Sequence, residues 1–125
     1  MLYLIGLNNC DKTREARKWL QQRELEFTEI DLNEEPLDQE ELDEIIYKVG
    51  LDPLINRRSR TYKELKKKGT IDESAKEDEE LAEVILIHQK LIKRPLLVEG
   101  DGILVGFDQD AWITFLGLNE ELNDE

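Results

Sequence analysis

A chain of 125 residues, 39% hydrophobic and 38% charged, is the right size for one globular core and too apolar for a disordered chain. Its formal net charge of −13, from 30 acidic against 17 basic side chains, repels phosphate backbones and argues against direct nucleic-acid binding. No apolar run reaches the ~20 residues of a membrane-spanning helix and residues 1–6 lack the basic start of a secretory leader, so a cytoplasmic protein with no membrane partner is expected.

Leu2 to Gly6 reads as a short buried strand, ended by Gly6 and the polar pair Asn8-Asn9. Helical periodicity follows, with Ala16, Trp19 and Leu20 on one face and Lys12, Arg17, Lys18, Gln21 and Gln22 toward water. Phe27 to Leu32 alternates apolar and polar residues as a strand does, and Asn33 to Pro36 turns the chain. The first third is thus β-α-β. A second helix begins at Leu37-Asp38, carries the stripe Leu42, Ile45, Ile46 and Val49, and stops at Gly50. Leu51 to Arg60, with Pro53, is expected to be loop or short helix, Tyr62 to Lys68 a basic helix, and 69–78 a connection. Leu81 to Ile92 reads as a third apolar helix, in which Leu81, Ile85, His88 and Ile92 align and His88 is a packed or boundary residue.

The last third changes period. Leu96-Leu97-Val98 and Ile103-Leu104-Val105 are antiparallel strands joined at Gly100-Asp101-Gly102. Asp108 caps a final helix whose Ala111, Trp112, Phe115 and Leu116 face inward, and Asn119 to Glu125 is an acidic tail expected to fray. The economical fold for this order is α/β, with a central four-stranded mixed sheet and helices on its faces.

Charge is segregated along the chain. Between Thr28 and Lys48 there are nine carboxylates and one Lys, whereas Asn56 to Lys68 holds seven basic residues and one Glu. These are either two solvated faces or, for the basic segment, an attraction for an anionic substrate or an acidic protein surface. The single Cys rules out an internal disulfide, and one Cys with one His at no short spacing points to no metal site.

That cysteine, Cys10, stands between a strand end and a helix start in Asn8-Asn9-Cys10-Asp11-Lys12-Thr13-Arg14. A thiol there faces unsatisfied N–H groups at the positive end of a helix, which favour the thiolate. Thr13 and Arg14 return to the same side after one turn and outline an anion pocket. Thr13 also occupies the partner position of a C-x-x-C dithiol, so no local second thiol can resolve an intermediate. Arg94-Pro95 precedes the third strand, a start position at which proline removes no interior ladder bond; only in a thioredoxin-like arrangement would a cis-proline here turn the backbone toward the Cys-bearing helix end. Arg57, Arg58 and Arg60 supply further guanidinium forks for an oxyanion.

Taken together, these residues resemble the arsenate reductase-like family, also called ArsC/Spx/YffB. The resemblance runs from Tyr3 to Leu116 and is carried by Asn9-Cys10-Asp11 with Arg14, Ala16, Arg17, Trp19 and Leu20. It continues through Leu54-Ile55-Asn56-Arg57-Arg58, Tyr62-Lys63-Glu64-Leu65, Leu91-Ile92-Lys93-Arg94-Pro95 and Leu104-Val105-Gly106-Phe107. It implies one domain over 1–125, with thioredoxin-like portions at 1–36 and 90–118 and a helical insertion at 37–89. By position it implies Cys10 as nucleophile, Arg94 and Arg58 as catalytic partners, Thr13, Arg14 and Arg57 as anion-binding residues, and Pro95 as the residue that shapes the site.

The function so implied is a glutathione- or thiol-dependent reductase with one cysteine nucleophile, nearest the YffB-like branch. No resident cofactor is implied; glutathione would be a co-substrate and a small thiol or glutaredoxin-like protein the reductant. Two departures matter. Gly106 stands where arsenate reductases carry a later arginine, and Thr13 removes the dithiol of Spx-type regulators. The alternative implied is an Spx-like transcriptional regulator that binds the C-terminal domain of the RNA polymerase α subunit.

Overall fold

A computed structural model describes residues 1–72 and 78–118. Strands β1 (Leu2–Gly6) and β2 (Thr28–Asp31) lie parallel, with Tyr3 opposite Thr28 and Ile5 opposite Ile30. Parallel neighbours need a crossover, and helix α1 (Asp11–Gln22) supplies it. β3 (Leu96–Glu99) runs antiparallel on the other side of β1, with Leu96 opposite Ile5. β4 (Gly102–Val105) completes a mixed sheet of order β2-β1-β3-β4. Gly100 turns the last hairpin with φ +57°, and a Cβ on Gly102 would meet Phe115 Cε1 at 2.6 Å, so this glycine lets helix α6 (Gln109–Leu116) close onto the strand. The fold is the expected α/β class, a thioredoxin-like four-stranded mixed sheet with surrounding helices.

The pleat divides the core in two. Leu2, Leu4, Leu97 and Leu104 point to the side of α1 and α6, where they meet Ala16, Trp19, Leu20 and Trp112. Trp19, Trp112 and Phe107 stack edge-on there, with ring centroids 4.8 to 6.0 Å apart. Tyr3, Ile5, Leu96, Val98, Ile103 and Val105 point the other way, toward the helices inserted between β2 and β3.

Those inserted helices are α2 (Gln39–Val49), α3 (Leu51–Leu54), α4 (Arg60–Lys67) and α5 (Asp78–Ile87). Asp38 and Glu41 start α2 as a reciprocal capping box, and Gly50 at φ +88° ends it. Ser59 caps α4 by accepting the Tyr62 N–H. Among the described residues, no helix is long and apolar enough to cross a membrane.

Two expectations are corrected. The helix read over Leu81 to Ile92 ends at Ile87; His88 leaves the helix at φ −117°, ψ 77°, and a 3-10 turn Gln89–Leu91 follows. Tertiary hydrogen bonding overrides the periodicity here. The Gln89 amide takes both backbone groups of Leu37, and an antiparallel bridge at extended Ile92 joins 91–93 to 54–56 through Asn56 N–H to Leu91 O (2.7 Å) and Lys93 N–H to Leu54 O (2.8 Å). The second correction is Ala111, which is exposed. The Trp112 indole N–H donates to the Gly106 carbonyl at 3.0 Å, fixing the rotation of α6 with Trp112 inward and Ala111 turned to water. The connection at 73–77 and the tail at 119–125 lie outside the described residues.

Candidate active site

The sequence brings β1 to its end at Gly6, and the Leu7 carbonyl then turns the chain by accepting the Cys10 N–H at 3.1 Å. Cys10 thereby becomes the N-cap of α1, with extended backbone at φ −90°, ψ 127°. Its carbonyl accepts the Arg14 N–H at 3.0 Å, while the N–H groups of Lys12 and Thr13, unsatisfied within the helix, are directed at the sulfur. The thiol is half-buried. Partial burial pushes its pKa up, but hydrogen bonds from the Thr13 N–H, the Thr13 hydroxyl, the Arg94 guanidinium and the Lys12 N–H outweigh that effect and hold it below the ordinary thiol value.

Thr13 is fully buried, and its hydroxyl completes no hydrogen bond of ordinary geometry in the resting protein. The group it faces is the Cys10 sulfur. Its methyl and hydroxyl lie over Gly6, the one residue type that leaves room for them.

Arg94 reaches the thiol from the far side of the chain. Its Nη1 donates to the carbonyls of Lys90 (2.8 Å) and Ile92 (3.2 Å), and its Nε is buried without a partner. The Arg94-Pro95 peptide is cis, Pro95 is buried, and the Pro95 carbonyl accepts the Gly106 N–H at 2.8 Å. The antiparallel contact between 54–56 and 91–93 fixes the segment that leads into Arg94.

Of the remaining candidates, Arg14 is exposed and paired with Asp11, which turns both charges along the surface of α1. Arg57 pairs with Asp52 at 2.9 Å. Arg58 is exposed and lines a shallow basic cleft with Arg60, Lys63 and Lys67. Among the described residues, Lys12, Thr13 and Arg94 are the groups that lower the thiol pKa, and these three arginines are not among them.

A second feature escapes sequence reasoning. A cleft of about 560 Å³ begins at Leu7, three residues before Cys10, and is lined by Leu32, Asn33, Thr61, His88 and Gln89. His88 lines this cleft because α5 stops before it, which its place in an apolar stripe did not signal. Arg17 braces the rim of the site by a bidentate pair with Glu29, at 2.7 and 2.5 Å, joining α1 to β2.

A cysteine capping the first helix of a β-α-β unit, faced by the residue before a cis-proline, defines a single-thiol protein of the thioredoxin-like class. The chain belongs to the ArsC family, whose model matches residues 5–115. It is 38% identical over 105 residues to the uncharacterized protein YusI of Bacillus subtilis, covering 82% of this chain and 87% of that one. The global transcriptional regulator Spx of Enterococcus faecalis is 33% identical over 118 residues, covering 93% and 86%. Among solved structures, a YffB protein superposes with a TM-score of 0.79 at 29% identity, covering 91% of this chain and 97% of that one. The chain thus presents a single redox-active cysteine in an ArsC/Spx-like fold.

Proposed function

We propose that this protein is an Spx-like regulatory binding protein that contacts the C-terminal domain of the RNA polymerase α subunit. The observation that carries this reading is the extent of similarity to Spx regulators, which spans 93% of the chain and so takes in the inserted helices as well as the Cys10 region. The α C-terminal domain is the partner that the family resemblance implies. The cleft at the start of α4, where Arg58, Arg60, Lys63 and Lys67 outnumber the single carboxylate of Glu64, gives an otherwise acidic protein a surface suited to an acidic protein partner. Titration of the purified α domain into the protein should give saturable binding that survives Cys10→Ser. No binding at high protein concentration would sink the reading.

A second reading, thiol-dependent reduction, is favoured by the lowered pKa and half-exposed position of Cys10 beside Arg94. Here the Cys10 thiolate attacks a disulfide or an oxyanion, α1 and Arg94 stabilise the developing charge, and an external thiol such as glutathione regenerates Cys10 through a mixed disulfide. Arg58 and Arg57 would then steer an anionic substrate rather than touch it. Full reductase activity in Cys10→Ser would exclude this chemistry.

A further inference from the structure

Two donors beside Cys10 face its sulfur and reach no oxygen acceptor. Thr13 is fully buried and its hydroxyl completes no hydrogen bond of ordinary geometry, and the Arg94 Nε–H, likewise buried, completes none either. A buried donor without an acceptor costs ~1–3 kcal/mol, so a native protein that keeps two of them around one sulfur retains them for something that arrives there. Both are strong donors to oxygen and poor donors to sulfur. A disulfide substrate would leave them nearly as unsatisfied as they are now. A tetrahedral oxyanion brings several charged oxygens, yet Arg14 and Arg57 are engaged with Asp11 and Asp52. What suits the site is a small electrophile that places a single oxygen on the sulfur.

We propose that Cys10 is a hydroperoxide-reactive thiol whose sulfenate product is held by the Thr13 hydroxyl and the Arg94 Nε–H. This rests on the reactivity of Cys10 on which the reductase reading also depends. The thiolate attacks the terminal oxygen of a hydroperoxide, forming the S–O bond as the O–O bond breaks. The O–O electron pair leaves on the distal oxygen, which takes a proton from solvent, so the peroxide is reduced to an alcohol or water and Cys10 is oxidised to the sulfenic acid. With one cysteine in the chain, no internal disulfide can form. An external low-molecular-weight thiol condenses with the sulfenic acid, releasing water, and a second equivalent frees Cys10 and departs as a disulfide.

The test uses the full chain and hydrogen peroxide, with a dimedone-type trap read by mass spectrometry. Iodoacetamide alkylation on the same samples reports plain thiolate reactivity. Native protein should form the Cys10 adduct. Thr13→Val should lower the peroxide rate about tenfold more than the alkylation rate, as loss of one transition-state hydrogen bond implies, and Thr13→Ser should restore the ratio. Arg94→Lys, which keeps charge but has no Nε–H, provides an independent second variant and should lower the ratio likewise. An unchanged peroxide-to-alkylation ratio in both Thr13→Val and Arg94→Lys, or no adduct in native protein, overturns the proposal. Exchange with oxidised glutathione separates the two failures. If exchange persists without peroxide selectivity, only this inference falls; if neither alkylation nor exchange occurs, the reductase reading falls with it.

Discussion

Gly6 and Thr13 interlock across the turn between β1 and α1: a Cβ on Gly6 would stand 2.4 Å from Thr13 Oγ1 and 2.9 Å from its Cγ2. Neither side has room to yield, since Gly6 lies in the central sheet and Thr13 is fully buried. Gly6→Ala should therefore cost about 1–3 kcal/mol as an overpacked core does, read as a lower urea midpoint at unchanged slope. It should also slow alkylation of Cys10, because the displaced hydroxyl no longer supports the thiolate. Wild-type stability in this variant would show that the interlock relaxes freely.

The lowered pKa of Cys10 ties stability to pH. The folded protein releases the thiol proton at a lower pH than the unfolded chain does, so between those two values the unfolded state binds more protons and stability rises with pH. The contribution is complete above the unfolded thiol value and is lost as pH falls through the folded one. Subtracting the Cys10→Ser profile from that of native protein cancels the other titrating groups, and the difference should slope upward across that window. The alkylation rate should reach half its plateau at the lower end of the same window. A flat difference, with half-plateau at the ordinary thiol value, would mean that Cys10 is not poised.

Much of this architecture is legible in local sequence. The short apolar runs Leu2 to Gly6 and Leu96 to Val98, the Asp38 and Asp108 caps, and the place of Cys10 just before a helix are all written within a few residues of where they act. What sequence does not disclose depends on partners far along the chain. Leu81, Ile85, His88 and Ile92 keep helical spacing, yet the helix breaks at His88 because residues 91–93 pair with 54–56. Arg14 and Thr13 are equally able to face the thiol by spacing. Asp11 draws Arg14 to the surface, while the gap above Gly6 takes Thr13 into the core.

Arg94 does two jobs that different substitutions separate. Its Nη1 ties down the carbonyls of Lys90 and Ile92, and its guanidinium lowers the Cys10 pKa. Arg94→Ala removes both, and with net contributions of ~0.5–1.5 kcal/mol per hydrogen bond it should destabilise the fold measurably and raise the thiol pKa. Arg94→Lys keeps a cation but not the planar fork. Its thiol pKa should fall between those of native and Arg94→Ala, as followed by thiolate absorbance against pH. If both variants left the thiol pKa at its native value, Arg94 would be a structural strut alone.

Gln89 closes the insertion on itself across 52 positions of sequence: its Oε1 accepts the Leu37 N–H at 2.8 Å, and its Nε2 donates to the Leu37 carbonyl at 2.7 Å and to the Leu86 carbonyl at 3.1 Å. One side chain thus satisfies both backbone groups of a buried residue where the chain enters α2. Gln89→Ala strips both, and at ~1–3 kcal/mol for a buried group left unpaired the loss should be plain in a denaturant titration. Gln89→Glu discriminates further. A carboxylate still accepts the Leu37 N–H but cannot donate to the two carbonyls, so at neutral pH it should be nearly as destabilising as Ala. Below the carboxyl pKa it regains one donor, and its stability should rise toward native relative to Ala. A Gln89→Glu protein as stable as native at neutral pH would show that the carbonyl contacts contribute nothing to closing the insertion.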